Sequence, residues 1–275
     1  MSDSSKSTRR VGSPHTTIRV TPTGVMPGAP WALAPTLPQA VASERREQEL
    51  EIDFEALEQY QEFSSGIQQV LQKYEAAMRE MVVRFEILDK DLSLKRNRNP
   101  IHHIESRIKS PASIYDKLIR YGKDPTIGNL EEYLMDVAGV RVICSYINDV
   151  KSLMKLLRHQ DDLEIVRIKN YIENPKPNGY RSLHAIVRIP VYFMDSKQMI
   201  PVEVQIRTIA MDYWASLEHD LRYKAVTDVG SDEFSEELKA CSATLAALEA
   251  RMQSLADVLD AKPKTKKKSG KHPKR

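Results

Sequence analysis

Two runs rich in β-branched residues, HAIVRIPVYF and IPVEVQIRT, flank the polar turn MDSKQ between residues 184 and 208, and they constrain the fold more than any other stretch. In the second run Val202, Val204 and Ile206 alternate with Glu203, Gln205 and Arg207, the period of a strand with two unlike faces. GVRVICSY and LEIVRIKNYI read as further strands, the first dense enough in β-branched residues to be buried. Apolar residues recur at helical spacing from Leu50 to Tyr60 and from Ile67 to Leu88, which predicts two helices separated near FSSG, the first capped by Ser43. A helix starts near Ser110–Pro111 and closes at Gly122, another follows with Asn148 as its cap, and two more cover AMDYWASLEHDLRYK and 231–260. The order α-α-α-β-α-β-β-β-α-α predicts an α+β (mixed α/β) fold, a mixed β-sheet flanked by helices.

Composition sets the limits. Residues 1–43 are rich in Pro, Gly, Ser and Thr and read as a disordered tail. Residues 262–275 hold eight Lys or Arg and no acid, a second disordered tail, so the segment 44–261 carries a net charge near −8. An anionic ligand must therefore be held by a local cationic cluster. No apolar run approaches the roughly 20 residues of a membrane helix, and no secretory signal opens the chain, so the expected location is cytoplasmic. Cys144 and Cys241 lack metal-ligand spacing and read as buried thiols.

Five features carry chemistry-bearing residues. Arg107 and Lys109 share one side of an extended segment, and Ser113, Lys117 and Arg120 continue along one helix face, a stripe suited to phosphates. Asp136 precedes a buried strand, where a carboxylate can hold Mg²⁺ against phosphates or merely cap a turn. The alternate residues Glu203, Gln205 and Arg207 suit a base or metal ligand, a neutral hydrogen-bonder and a phosphate clamp. In NPKPNGYRSLH, the Asn178-Gly179 turn is expected to lift Tyr180 out of the sheet edge beside Lys176 and His184. Asp212, on the next helix, offers a free carboxylate able to accept two guanine N–H groups. Singly, each feature is equally served by a solvated face, a turn cap or ordinary core packing. Glu218-His219 has no second histidine four residues back, which excludes a metalloprotease helix.

Taken together, SRIKSPASIYDK, DVAGVRV, NGYRSLH and VEVQIRTIAMDYWASLEH resemble the alarmone synthetase domain of GTP pyrophosphokinases, above all the stand-alone small alarmone synthetases, from about Pro100 to Lys224. The resemblance implies a nucleotidyltransferase-like sheet with extra terminal helices, and transfer of the β,γ-pyrophosphate of ATP to the 3′-hydroxyl of GDP or GTP. It implies adenine between Arg107 and Arg141, with Lys109, Ser113, Lys117 and Arg120 on the ATP phosphates. Asp136 and Glu203 would be the catalytic and Mg²⁺-binding carboxylates. Tyr180 would stack on guanine, Asp212 would read its edge, and Lys169, Lys176, His184 and Gln205 would serve the acceptor's phosphates and ribose.

The expected parts are a tail (1–43), N-terminal helices (44–98), a catalytic core (99–226), a C-terminal helix (227–260) and a basic tail (261–275) able to touch RNA. The resemblance also implies a homotetramer, and synthesis without hydrolysis is expected, since His102-His103 is an isolated pair. Ser106 stands where many relatives have glycine. The rival readings are a toxin-like relative acting on tRNA or adenine nucleotides, and a non-catalytic nucleotide- or RNA-binding module.

Overall fold

The computed structural model describes residues 42–43, 51–52, 54–96, 98–225 and 231–260; both predicted tails, apart from Ala42–Ser43, lie outside them. Its main feature is a five-stranded mixed sheet in the order β3-β4-β7-β6-β5. The strands are β3 (Ile101–Ile108), β4 (Ala138–Cys144), β5 (Glu164–Asn170), β6 (Leu183–Tyr192) and β7 (Lys197–Thr208). β4 and β7 run parallel, and the other neighbours run antiparallel. A small pair, β1 (Ala42–Ser43) with β2 (Glu51–Ile52), lies ahead of them. Six helices are described: α1 (Phe54–Arg96), α2 (Pro111–Arg120), α3 (Ile127–Tyr133), α4 (Ile147–Arg158), α5 (Ile209–Ala225) and α6 (Ser231–Asp260). The predicted α+β class is the observed one.

The core lies on one face of this sheet. Val140, Val142, Val202, Val204, Ile206, Ala185 and Val187 are all buried in one apolar cluster with Ile67, Tyr74, Met81 and Phe85 of α1. This packing explains why α1 is one helix and not two. Phe63, Ile67 and Val70 continue a single buried stripe through FSSG, and tertiary burial outweighs the roughly 1 kcal/mol that Gly66 costs a helix interior. The same logic moves the helix start from Ser43 to Phe54, close to where residues that touch the core, Ala56 and Leu57, begin.

Two other local expectations are revised. Asn148 does not cap α4; the cap position is Tyr146, without a side-chain bond. The Asn148 N–H donates instead to Gln253 Oε1 of α6 at 3.0 Å, so a distant helix satisfies this end. Cys144 is buried as expected, but Cys241 faces solvent on the outer side of α6. By contrast α2 starts as predicted, with Ser110 Oγ accepting from the Ser113 N–H and Gly122 at φ 66° closing the turn beyond it.

Candidate active site

The polar face of the sheet carries two transverse rows fixed by strand register. Arg107, Gly139, Glu203, Ile186 and Arg167 lie side by side across β3, β4, β7, β6 and β5. The adjacent row is Glu105, Arg141, Gln205, His184 and Lys169. Because side chains alternate faces with period two, both rows point to the same side of the sheet.

Two clefts open along these rows. The first, about 220 Å³, includes Arg107, Lys109, Asp136, Arg141, Glu203 and Gln205 in its lining. The second, about 230 Å³, is lined by Arg167, Lys169, Tyr171, Lys176, His184, Ile186 and Glu203. Glu203 belongs to both.

In the first cleft Asp136 Oδ2 accepts from Lys109 Nζ at 2.7 Å and from Lys117 Nζ at 2.6 Å. Burial pushes the Asp136 carboxyl up, but the two lysines together outweigh it and hold the group below its ordinary range. Burial also draws the Lys109 ammonium down, with Asp136 offsetting only part of that. Arg141 donates to Glu105 Oε2 at 2.8 Å across the strand pair. Ser113 and Arg120 are exposed on α2 and do not line this cleft.

The second cleft is bordered by a dense polar network. The turn does not lift Tyr180 outward. Gly179 takes φ 90°, Asn178 Oδ1 accepts from the Tyr180 N–H, and the ring is half-buried with Lys176 Nζ 4.7 Å and the Arg207 guanidinium 5.2 Å from its centre. Arg207 is 5 % exposed, so it turns inward and is no phosphate clamp. It donates to Asp212 Oδ1 at 3.1 Å, so that carboxylate is already engaged. Glu203 Oε1 lies 3.3 Å from His184 Nδ1, and its Oε2 accepts from Gln205 at 3.0 Å. Burial raises the Glu203 carboxyl, and the His184 and Gln205 bonds more than reverse that.

The helix α6 braces the turn from behind. Ser242 Oγ donates to the Gly179 carbonyl at 2.6 Å, and Trp214 Nε1 of α5 donates to the Leu238 carbonyl at 2.8 Å.

Arg167 and Tyr171 belong to none of the sequence features, yet Arg167 and Lys169 alternate along β5 and Tyr171 follows at the next step beyond its end. Alternation places Arg207 on the face it occupies, beside Gln205, but does not reveal that this face is covered there.

Magnesium is implied by the family resemblance, and the residues present fit it. Asp136 Oδ1 is buried without a hydrogen-bond partner beside a second carboxylate, Glu203. One or two carboxylates, completed by substrate phosphates, are the usual protein share of a Mg²⁺ site.

Comparison with known proteins agrees with this geometry. The sequence model described as the region found in RelA / SpoT proteins matches residues 106–228. The GTP pyrophosphokinase YwaC of Bacillus subtilis (strain 168) is 41% identical over 187 residues, which cover 68% of this chain and 89% of that protein. YjbM of the same organism, also named a GTP pyrophosphokinase, is 32% identical over 55% of this chain and 70% of its own length. Among solved structures, small alarmone synthetase 2 from Bacillus subtilis superposes with a TM-score of 0.62 at 39% identity, covering 69% of this chain and 97% of that one. Small alarmone synthetase 1, bound to its product pppGpp, gives 0.62 at 28% identity, covering 70% and 96%.

Proposed function

This chain belongs to the RelA/SpoT alarmone synthetases, and from that premise we propose that it is a GTP pyrophosphokinase with ATP as donor and GDP or GTP as acceptor. The observation that carries this reading is that Glu203 lines both clefts, so one carboxylate stands between two separate binding sites. The acceptor's 3′-oxygen attacks the β-phosphorus of ATP, and the bond from that phosphorus to the α,β-bridging oxygen breaks. AMP leaves with the bridging oxygen, Glu203 takes the hydroxyl proton, and ppGpp or pppGpp is the product.

Most of the catalysis is positioning and charge neutralisation. Lys109 and Lys117 stand ready for the donor phosphates, with Arg107 and Arg141 for adenine. Lys169, Lys176 and Arg167 are the cations of the acceptor side. Tyr180 offers a ring for guanine once Lys176 moves off it. Asp136 and Glu203 would hold a magnesium ion, which when bound neutralises charge developing on the transferred group.

Self-association is supported by Leu248, Met252, Leu255 and Leu259, an exposed apolar stripe at helical spacing on α6, and a homotetramer is the proposed state. No described helix is long and apolar enough to cross a membrane, which is compatible with a cytoplasmic enzyme. The basic segment 262–275 is proposed to add salt-dependent RNA contact.

The test incubates the protein with Mg²⁺, labelled ATP and GDP, GTP, GMP, ADP or deacylated tRNA, and resolves the products. Guanosine 3′-diphosphates are expected, and their absence overturns the reading. Product on tRNA or adenine nucleotides alone would instead favour a toxin-like relative.

A further inference from the structure

The polar groups around Glu203 close into a ring. Arg207 donates to the Tyr180 oxygen at 2.6 Å and to Gln205 Oε1 at 3.1 Å. The Tyr180 oxygen lies 2.8 Å from His184 Nε2, His184 Nδ1 lies 3.3 Å from Glu203 Oε1, and Gln205 Nε2 lies 3.0 Å from Glu203 Oε2. Every member is half-buried or buried, so few waters compete for these bonds.

We propose that Arg207 is a positioning residue for Glu203, acting through the Tyr180 hydroxyl and His184 on one side and through Gln205 on the other. The argument is one of direction. A guanidinium can only donate. Gln205 must therefore turn its oxygen to Arg207, which leaves its NH₂ for Glu203 Oε2. The Tyr180 oxygen accepts from Arg207, and the proposed ring assigns its own hydrogen to His184 Nε2. That makes Nε2 the acceptor and puts the ring proton on Nδ1, where it donates to Glu203 Oε1. Both arms thus reach Glu203 as donors, one on each oxygen, and both take their sense from one buried cation. Asp212 holds that cation through its other terminal nitrogen, at 3.1 Å.

Tyr180 then has two separable jobs. Its ring is the platform for the acceptor base, and its hydroxyl is a link in the ring. Reversing either arm would point a lone pair at the Glu203 carboxylate, or leave one of its oxygens without a donor.

The inference rests on the proposed acceptor chemistry for its kinetic arm only. Tyr180→Phe keeps the platform and removes the link. The expected result is a fall in kcat of about tenfold with the KM for GDP within about twofold of wild type. Arg207→Lys, which cannot span Asp212, Tyr180 and Gln205 together, is expected to lower kcat further. An unchanged kcat in Tyr180→Phe overturns the proposal, and so does a change confined to KM.

The second readout needs no turnover. The imidazole ¹⁵N shifts of His184, in full-length metal-free protein at neutral pH, are expected to show a protonated Nδ1 and a bare Nε2. The Tyr180→Phe variant is expected to lose that single tautomer. A wild-type His184 protonated at Nε2 overturns the ring whatever the enzyme makes. If no guanosine product forms at all, the functional reading fails and the tautomer alone decides the ring.

Discussion

The two clefts that meet at Glu203 are built on different principles. The proposed donor side is made of charges: Arg107, Lys109, Lys117 and Arg141 around one carboxylate, drawn from β3, the β3–α2 connection, α2 and β4 within a short stretch of chain. Its internal contacts are ion pairs that an incoming phosphate or cation can exchange. The acceptor side is made of directional hydrogen bonds from a loop, β6, β7 and α5, satisfied before any ligand arrives and braced by α6. Charge tolerates displacement by an ångström, whereas a hydrogen-bond ring does not. The donor side should therefore answer to ionic strength and counter-charge, and the acceptor side to small changes of shape.

Glu203→Gln should have the largest effect because it strikes the group common to both. A fall in kcat of about 10²-fold or more is expected, with both nucleotides still bound in calorimetry. Loss of binding in step with turnover would show that the two sides are not separate. Next, Asp136→Asn removes the anion that pairs Lys109 and Lys117. Metal-free ATP should then bind about tenfold more tightly at low salt, with the gain shrinking as salt rises, while turnover with Mg²⁺ drops.

A smaller effect is expected from shape. At Gly179 an added Cβ would lie 2.9 Å from Ser242 Cβ and 3.0 Å from Lys239 Cα, with φ at +90°. Gly179→Ala should cost about 1–3 kcal/mol and raise the KM for the acceptor but not for ATP. Gly122→Ala, with φ +66° and nothing within 4 Å, is the control that should cost less and leave both constants alone. Equal Tm losses in the two variants would remove the brace from the argument.

The smallest effect concerns Glu249, on α6 behind the turn. Burial raises its carboxyl above the ordinary value, and contacts with Thr208 and Arg181 recover only part. A carboxyl raised in the folded state destabilises the fold once ionised, so this cost grows as pH climbs from the ordinary carboxylate range through the raised value. Glu249→Gln should melt about 1–3 °C higher than wild type at neutral pH, with the gap closing as pH falls toward 4.5. A gap independent of pH would place the gain elsewhere.

The donor side was the more legible of the two in sequence, for the same physical reason. Its residues are close in the chain, and the strand period suffices to align Arg107 with Lys109. The helix period extends the stripe to Ser113 and Arg120, which do not line the cleft, and does not reveal the pairing of Lys117 with Asp136. The acceptor side depends on what covers a polar face. Alternation in VEVQIRT separates Glu203, Gln205 and Arg207 from the valines, but it does not reveal that Tyr180 and Asp212 bury Arg207. The FSSG break failed likewise: local propensity names Gly66 as a stop, and packing of Ile67 on the sheet overrules it. Asn148 had the composition of a cap, and its partners turned out to be 105 and 109 residues away.

The brace between Ser242 and Gly179 spans 63 residues of chain. At about 5–20 residues per second of protein synthesis, that separation is roughly 3–13 s. The last strand of the sheet ends at Thr208, 34 residues before Ser242, so the sheet is fully synthesised roughly 2–7 s before the residue that steadies the Gly179 turn. The order of translation therefore puts this brace last, after every strand that lines the two clefts.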